Sequence, residues 1–273
     1  MRRAAVAITT AMVVVVTLTT GFVLGRTIDS QQSAASEPSP KTESPSPPPT
    51  SPESSAPPSE EPVPELVPLE PDDTWDGPSG TMRLTGTDEV ALTFDDGPSP
   101  SWTPKVLNTL SAWGVKATFC LVGKEARAYP ELVQDIVNQG HTLCNHSWNH
   151  EYDLGSESAA KIRKNLERTN DAILAAVPDA HIGYYRQPGG QWTNRVVGVS
   201  MKLGMVPLHW SVDPSDWDKS VKTAHIEKEV RGATDAGAIV LMHDGGGDRG
   251  RTFSALEPIL SDLTSRFHLI PLP

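Results

Sequence analysis

Five short stretches of this chain hold residue types that could do chemistry. In Leu92-Thr93-Phe94-Asp95-Asp96-Gly97-Pro98, two adjacent carboxylates end an apolar run. Alone, Asp-Asp-Gly-Pro reads as an ordinary loop; with partners, one acid could face a metal and the other a substrate. Asn145-His146-Ser147-Trp148-Asn149-His150 spaces two histidines at i and i+4, which would put both on one side of a helical turn. A single histidine would read as structural. The pair with Asp96 reads as a His₂-carboxylate site with an open position, suited to one divalent ion, zinc first and cobalt, manganese or nickel after it. Tyr185-Arg186-Gln187-Pro188-Gly189-Gly190 offers a cation that would keep Asp95 ionised and oriented, and glycines whose N–H groups could meet a developing oxyanion. By itself it is a turn. Trp210-Ser211-Val212-Asp213-Pro214-Ser215-Asp216-Trp217 supplies acids and aromatics for a sugar-binding wall, or for plain packing. Leu241-Met242-His243-Asp244 ends an apolar run on a histidine, where a general acid would sit or a structural histidine would pack.

These residues need elements that bring them to one place. Apolar strand-like runs at 90–94, 117–122, 141–144, 183–185, 205–208, 238–242 and 267–272 alternate with helix-like stretches at 104–113, 131–139, 158–176, 193–203, 223–235 and 253–265. Such alternation predicts a parallel α/β architecture, either a barrel or a doubly wound sheet. Both build their active sites at the carboxyl ends of the strands, and all five stretches fall there.

The rest of the chain bounds where these elements work. With 23 Lys+Arg against 34 Asp+Glu, the net charge of −11 argues against nucleic acid or an anionic membrane surface as the main partner. Arg2-Arg3 precede an uncharged run at 4–25, closed by Arg26, which predicts a signal peptide or an uncleaved single-pass anchor. Residues 27–80 are rich in Pro, Ser and Glu and read as a disordered spacer. Residues 81–273 are then the folded domain. An exported context favours a bridge between Cys120 and Cys144, each near the end of a strand in consecutive units; two buried thiols are the alternative.

In order, the five stretches resemble the motifs of the polysaccharide deacetylases of carbohydrate esterase family 4, the NodB-homology domain. The resemblance rests on Thr93-Phe-Asp-Asp-Gly-Pro98, His146-Ser-Trp-Asn-His150, Arg186-Gln-Pro-Gly-Gly190, Asp213-Pro-Ser-Asp-Trp217 and Leu241-Met-His-Asp244, and covers essentially all of residues 89–273. It implies a distorted (β/α) barrel of about seven parallel strands. It also implies a metal on Asp96, His146 and His150, Asp95 as general base and His243 as general acid. Arg186 would then orient Asp95, and Asp216 would tune His243. Trp217 and Leu241 would line an acetyl pocket, with Asp213 and the Gly189 N–H on the substrate side. One departure stands out: family members usually carry an aromatic where this chain has Gly189, so the groove wall is expected to lose a side chain.

The implied activity is hydrolysis of acetyl groups from N-acetylated cell-wall glycan, peptidoglycan or a chitin-type oligomer, by an exported, monomeric enzyme. The alternatives are an O-acetyl xylan esterase and a catalytically silent carbohydrate-binding wall protein.

Overall fold

The computed structural model describes residues 74–273. The leader and most of the spacer lie outside the described residues. Folded chain nevertheless reaches back before Thr81. Trp75 packs against apolar residues of the barrel interior, Gly77 bridges Thr81, and Asp76 pairs with Arg83 at 2.7 Å.

Seven strands form one parallel sheet: β1 (Val90–Asp95), β2 (Thr118–Leu121), β3 (Thr142–Asn145), β4 (Ile182–Tyr185), β5 (Val206–Pro207), β6 (Ile239–His243) and β7 (Leu269–Ile270). Their lateral order is β5-β4-β3-β2-β1-β6; β7 pairs with the first two residues of β1, and β2 with its last three. Edge strands β5 and β6 do not pair with each other. Instead Met82 bridges Leu208 beyond β5 and Leu84 bridges Ala238 before β6, so the segment between them spans the opening. The result is the curled, distorted barrel the motifs imply.

Among the described residues seven α-helices flank the sheet: α1 (Thr103–Ala112), α2 (Gly123–Ala128), α3 (Pro130–Asn138), α4 (Ala159–Ala176), α5 (Asn194–Lys202), α6 (Thr223–Ala233) and α7 (Gly250–Arg266). Six of them fall on the helix-like stretches of the sequence. The exception is α2, a six-residue helix too short to show an apolar period. Polar caps start two of the others, with Ser158 accepting from the Lys161 N–H and Thr193 from the Val196 N–H.

Strand alternation does the positioning. Leu92, Phe94, Val240 and Met242 point outward into the core beneath the helices, while Ala91 and Ile239 pack inside the barrel with Cys120, Cys144, Tyr184 and Leu208. Asp95 follows Ala91 and Thr93 on the inner face; His243 follows Ile239 and Leu241. Asp95 and His243 are register partners on β1 and β6, so both end side by side at the barrel mouth. Cys120 and Cys144 are likewise direct partners on β2 and β3, with Cα atoms 4.1 Å apart and sulfur atoms in bonding contact.

Candidate active site

The barrel mouth opens into a cleft of about 610 Å³ lined by residues from all five stretches, among them Asp95, His150, Gly189, Trp217, Leu241 and His243. Backbone conformations rare for non-glycine residues gather around it. Asp96, Ser147, His150 and Ser215 have φ of 73°, 64°, 57° and 53°. At Asp96 this matters directly. On a continuing strand Asp96 would face away from Asp95; the left-handed residue turns the chain so that both carboxylates reach His146. Its Nε2 lies 3.7 Å from Asp95 Oδ2 and 3.5 Å from Asp96 Oδ1.

The two histidines do not sit on a helical turn. His146 follows β3 directly, and the chain to His150 is a loop without helical structure. Its shape comes from left-handed Ser147 and His150 and from side chains that clamp it. Asn145 Oδ1 accepts the Ser147 N–H at 2.9 Å, and Asn145 Nδ2 donates to the Leu166 carbonyl and to Asn170 Oδ1. Ser147 Oγ donates to Glu151 Oε2 at 2.8 Å. The i, i+4 spacing thus finds the right pair through a different geometry.

Asp96, His146 and His150 offer one ligand atom each, all within 4.8 Å of one another. His146 Nδ1 lies 2.8 Å from the Arg186 carbonyl oxygen. That oxygen can only accept, so Nδ1 carries a hydrogen, and Nε2 is the ring nitrogen turned to the two carboxylates. Asp96 Oδ1 lies 3.1 Å from His150 Nε2 yet is buried with no hydrogen bond. Burial pushes the Asp96 carboxyl up, but His146, His243 and His150 outweigh it and hold it well below the usual carboxylate range. Burial and neighbouring His146 push His150 down, toward its neutral, ligating form. An orphaned carboxylate oxygen beside two imidazole nitrogens is a donor set that fits a divalent cation.

Two carboxylates flank this corner, each with its own cation. Arg186, fully buried, donates from Nη1 to Asp95 Oδ1 and to Thr93 Oγ1, both at 2.7 Å. Its remaining donors reach the Leu208 and His209 carbonyls. On the other side His243 Nδ1 lies 2.6 Å from Asp216 Oδ1, and the His243 N–H donates to Asp216 Oδ2 at 3.0 Å. Burial lowers the His243 pKa, but Asp216 more than reverses it, raising it to about 9. His243 is therefore protonated at neutral pH, and with Nδ1 committed to Asp216 its Nε2 is the atom left for a substrate.

Around these groups, Leu241 is buried and Trp217 half exposed, both lining the cleft. Asp213 also lines it; its Oδ1 accepts the Ser215 N–H at 2.7 Å, and burial raises its pKa. The groove wall beside Gly189 is not bare, contrary to expectation. Gly189 has φ +61°, and a Cβ there would stand 2.6 Å from the ring of Tyr152, which occupies that space. Tyr152 meets His150 edge-on, with ring centroids 4.8 Å apart. An aromatic just after a His pair was a signal the sequence carried, but only the fold places it against Gly189. Arg249 and Thr252 are the other residues the motifs do not flag. Thr252 Oγ1 donates to Asp216 Oδ2 at 2.7 Å, and Arg249 Nη2 lies 3.5 Å from Asp96 Oδ2.

A parallel (β/α) half-barrel with a His₂-carboxylate corner between a fixed carboxylate and a protonated histidine defines a class: hydrolases that activate water against an acyl carbon. The comparisons with known proteins are more specific. Residues 83–208 match the family model "Polysaccharide deacetylase". A chitooligosaccharide deacetylase of Bradyrhizobium sp. is 38% identical over 202 residues, covering 70% of this chain and 91% of that protein. A peptidoglycan-N-acetylglucosamine deacetylase of Bacillus cereus is 34% identical over 192 residues, covering 70% and 85%. Among solved structures, a family 4 carbohydrate-esterase pseudoenzyme from Bacillus anthracis superposes with a TM-score of 0.64 at 26% identity, covering 74% of this chain and 67% of that one. The chain belongs to the polysaccharide deacetylase family, as its motifs imply, and is a deacetylase.

Proposed function

We propose that this protein is a metal-dependent N-deacetylase of cell-wall glycan, acting on N-acetylglucosamine units of peptidoglycan or of chitin-type oligomers and releasing acetate. The observation that carries the reading is the junction of three groups at one barrel mouth: the Asp96–His146–His150 corner, the Asp95–Arg186 pair and the His243–Asp216 pair. A pseudoenzyme on the same fold shows that architecture alone does not secure activity. In this chain Asp95, Asp96, His146, His150 and His243, which turnover would need, are all present.

Asp96, His146 and His150 would hold the ion, zinc by its preference for such donors. When bound, it would supply Lewis-acid polarisation and lower the pKa of a water from about 15.7 toward about 7. Asp95, locked by Arg186, takes the proton of the attacking water. The Gly189 N–H faces the oxygen of the tetrahedral intermediate, and Leu241 and Trp217 enclose the acetyl methyl group. His243 Nε2 then gives its proton to the departing nitrogen, while Asp216 steadies the imidazolium. An amine is a poor leaving group without that proton; an ester oxygen needs it less.

Acetate release by the full chain, assayed in parallel on N-acetylated chitooligosaccharides, peptidoglycan and acetylated xylan, tests the reading. Release from an N-acetylated glycan that stops with chelator and returns with zinc is the expected result. Release from acetylated xylan alone would make it an esterase. No release with zinc bound would make it a silent binding protein.

We infer further that the enzyme works outside the cytoplasm, as a monomer held on or released from the membrane by residues 4–25. The charge-flanked apolar run and the Pro/Ser/Glu-rich spacer support this. The facing Cys120 and Cys144 support a disulfide in that setting. Absence of the protein from membrane and culture-medium fractions would sink the localisation.

A further inference from the structure

Arg249 is a buried guanidinium outside every motif, standing immediately before α7. Burying such a cation is costly unless its donors are satisfied. Here three of its nitrogens reach three different parts of the site. Nε donates to the Gly245 carbonyl at 2.5 Å, Nη1 to the Asp216 carbonyl at 3.4 Å, and Nη2 to Asp96 Oδ2 at 3.5 Å. Asp96 is thereby divided. Oδ1 faces His146 and His150, and Oδ2 faces Arg249.

The loop that delivers Arg249 lies directly on Asp96. A Cβ on Gly245 would overlap the Asp96 carbonyl, and one on Gly246 would overlap Asp96 Oδ2. No side chain fits between loop and carboxylate, so the loop backbone and the Arg249 fork together close off the outer side of Asp96. One turn further along α7, Thr252 Oγ1 holds the Asp216 carboxylate from the same side as the His243 N–H. The start of α7 thus grips both the metal corner and the acid pair, two groups from opposite ends of the sequence.

We propose that Arg249 is a positioning residue for deacetylation. It holds the Asp96 carboxylate with Oδ1 turned to the metal corner, and through the Asp216 carbonyl it fixes that corner relative to His243. The inference rests on the reading of Asp96, His146 and His150 as metal ligands. By charge alone a cation next to the site would weaken metal binding, so what Arg249 contributes is geometry. Its forked, planar donor set can meet three acceptors in fixed directions; a lysine ammonium at that position keeps the charge and loses the fork.

The test uses the full chain with Arg249→Lys and Arg249→Gln. Zinc affinity is measured by competition with a chromophoric chelator, without substrate, and kcat and KM on an N-acetylated chitooligosaccharide. Both variants are expected to bind zinc about 10- to 100-fold more weakly. At saturating zinc, kcat should fall about tenfold or more while KM stays within about twofold, since orienting ligands acts on the chemical step. A merely structural arginine would lower the unfolding temperature and leave the zinc affinity of the folded protein alone. If Arg249→Gln does not fold, the charge-conserving Arg249→Lys decides the question. Zinc affinity in Arg249→Lys equal to that of the unaltered chain overturns the inference. Unaltered chain that takes up no zinc overturns the metal reading, and this inference with it.

Discussion

The cleft contains two buried carboxylate–cation pairs, and their difference explains how one site can both take and give a proton. Asp95–Arg186 and Asp216–His243 have nearly the same contact distance, 2.7 and 2.6 Å, and both are almost wholly shielded from water. In the first pair the cation never releases its proton, so Asp95 remains the only group able to change protonation state. In the second the cation is an imidazolium, whose proton can leave. In the proposed mechanism the same electrostatic attraction would serve a base on β1 and an acid on β6. What differs is the chemistry of the positive partner.

That comparison can be broken from either side. The largest loss is expected from Asp95→Asn, which keeps the side chain's shape and removes the basic carboxylate. Its kcat should fall by roughly 10²–10⁴-fold, with zinc content by mass spectrometry unchanged; near-normal turnover would remove Asp95 as base. His243→Gln should cost a similar factor on an N-acetyl substrate and clearly less on an activated acetate ester. Equal losses on both would mean His243 does not serve the leaving nitrogen.

Asp216→Asn sharpens the contrast through pH. His243 carries its proton below about 9 and loses it as pH rises through that value, because Asp216 lifts it against burial. Activity that needs the proton must therefore fail on the alkaline side. A bound cation offsets the pull of Asp95 and Asp96, so the limb in the loaded enzyme lies below about 9. Removing the Asp216 charge should move it down by a further one to three pH units, roughly. A limb that stays in place would detach Asp216 from His243.

Arg186→Lys should reduce kcat about tenfold, since a single ammonium cannot hold Asp95, Thr93 and two carbonyls together. Steady-state kinetics on the N-acetyl substrate would read it. The smallest catalytic effect belongs to Cys120→Ala/Cys144→Ala. The proposed bridge would close a 24-residue separation inside the barrel, and its loss should lower stability by about 2–4 kcal/mol while kcat stays within about twofold. Chemical denaturation would measure the first, and two reactive thiols in unreduced native protein would contradict the bridge itself.

Much of this was legible in residue order. Asp95, Asp96, His146, His150, Arg186, Asp216 and His243 can all be named from local motifs because each motif closes a strand, and strand ends share one rim in a parallel α/β fold. Local signals misled where conformation is not local. The i, i+4 histidines suggest a helical turn, whereas Asn145, Asn165, Asn170 and Glu151 hold a loop there, two of them from α4. Gly189 suggests an open wall, whereas Tyr152, 37 positions earlier, stands in it. The spacer composition suggests an ordered start at Thr81, whereas Trp75 finds apolar surface to cover that the sequence does not display.

The sequence by itself determined which chemistry is on offer: acids, imidazoles and a guanidinium in an order that points to the reaction type, since the capacity to bind a proton or a metal belongs to residue kinds. Tertiary structure decided which oxygen of Asp96 is free and which cation stands beside each carboxylate. It also decided that Arg249, 153 residues after Asp96, reaches it. Contacts of that separation depend on how strands register and loops pack, and no short stretch of sequence encodes them.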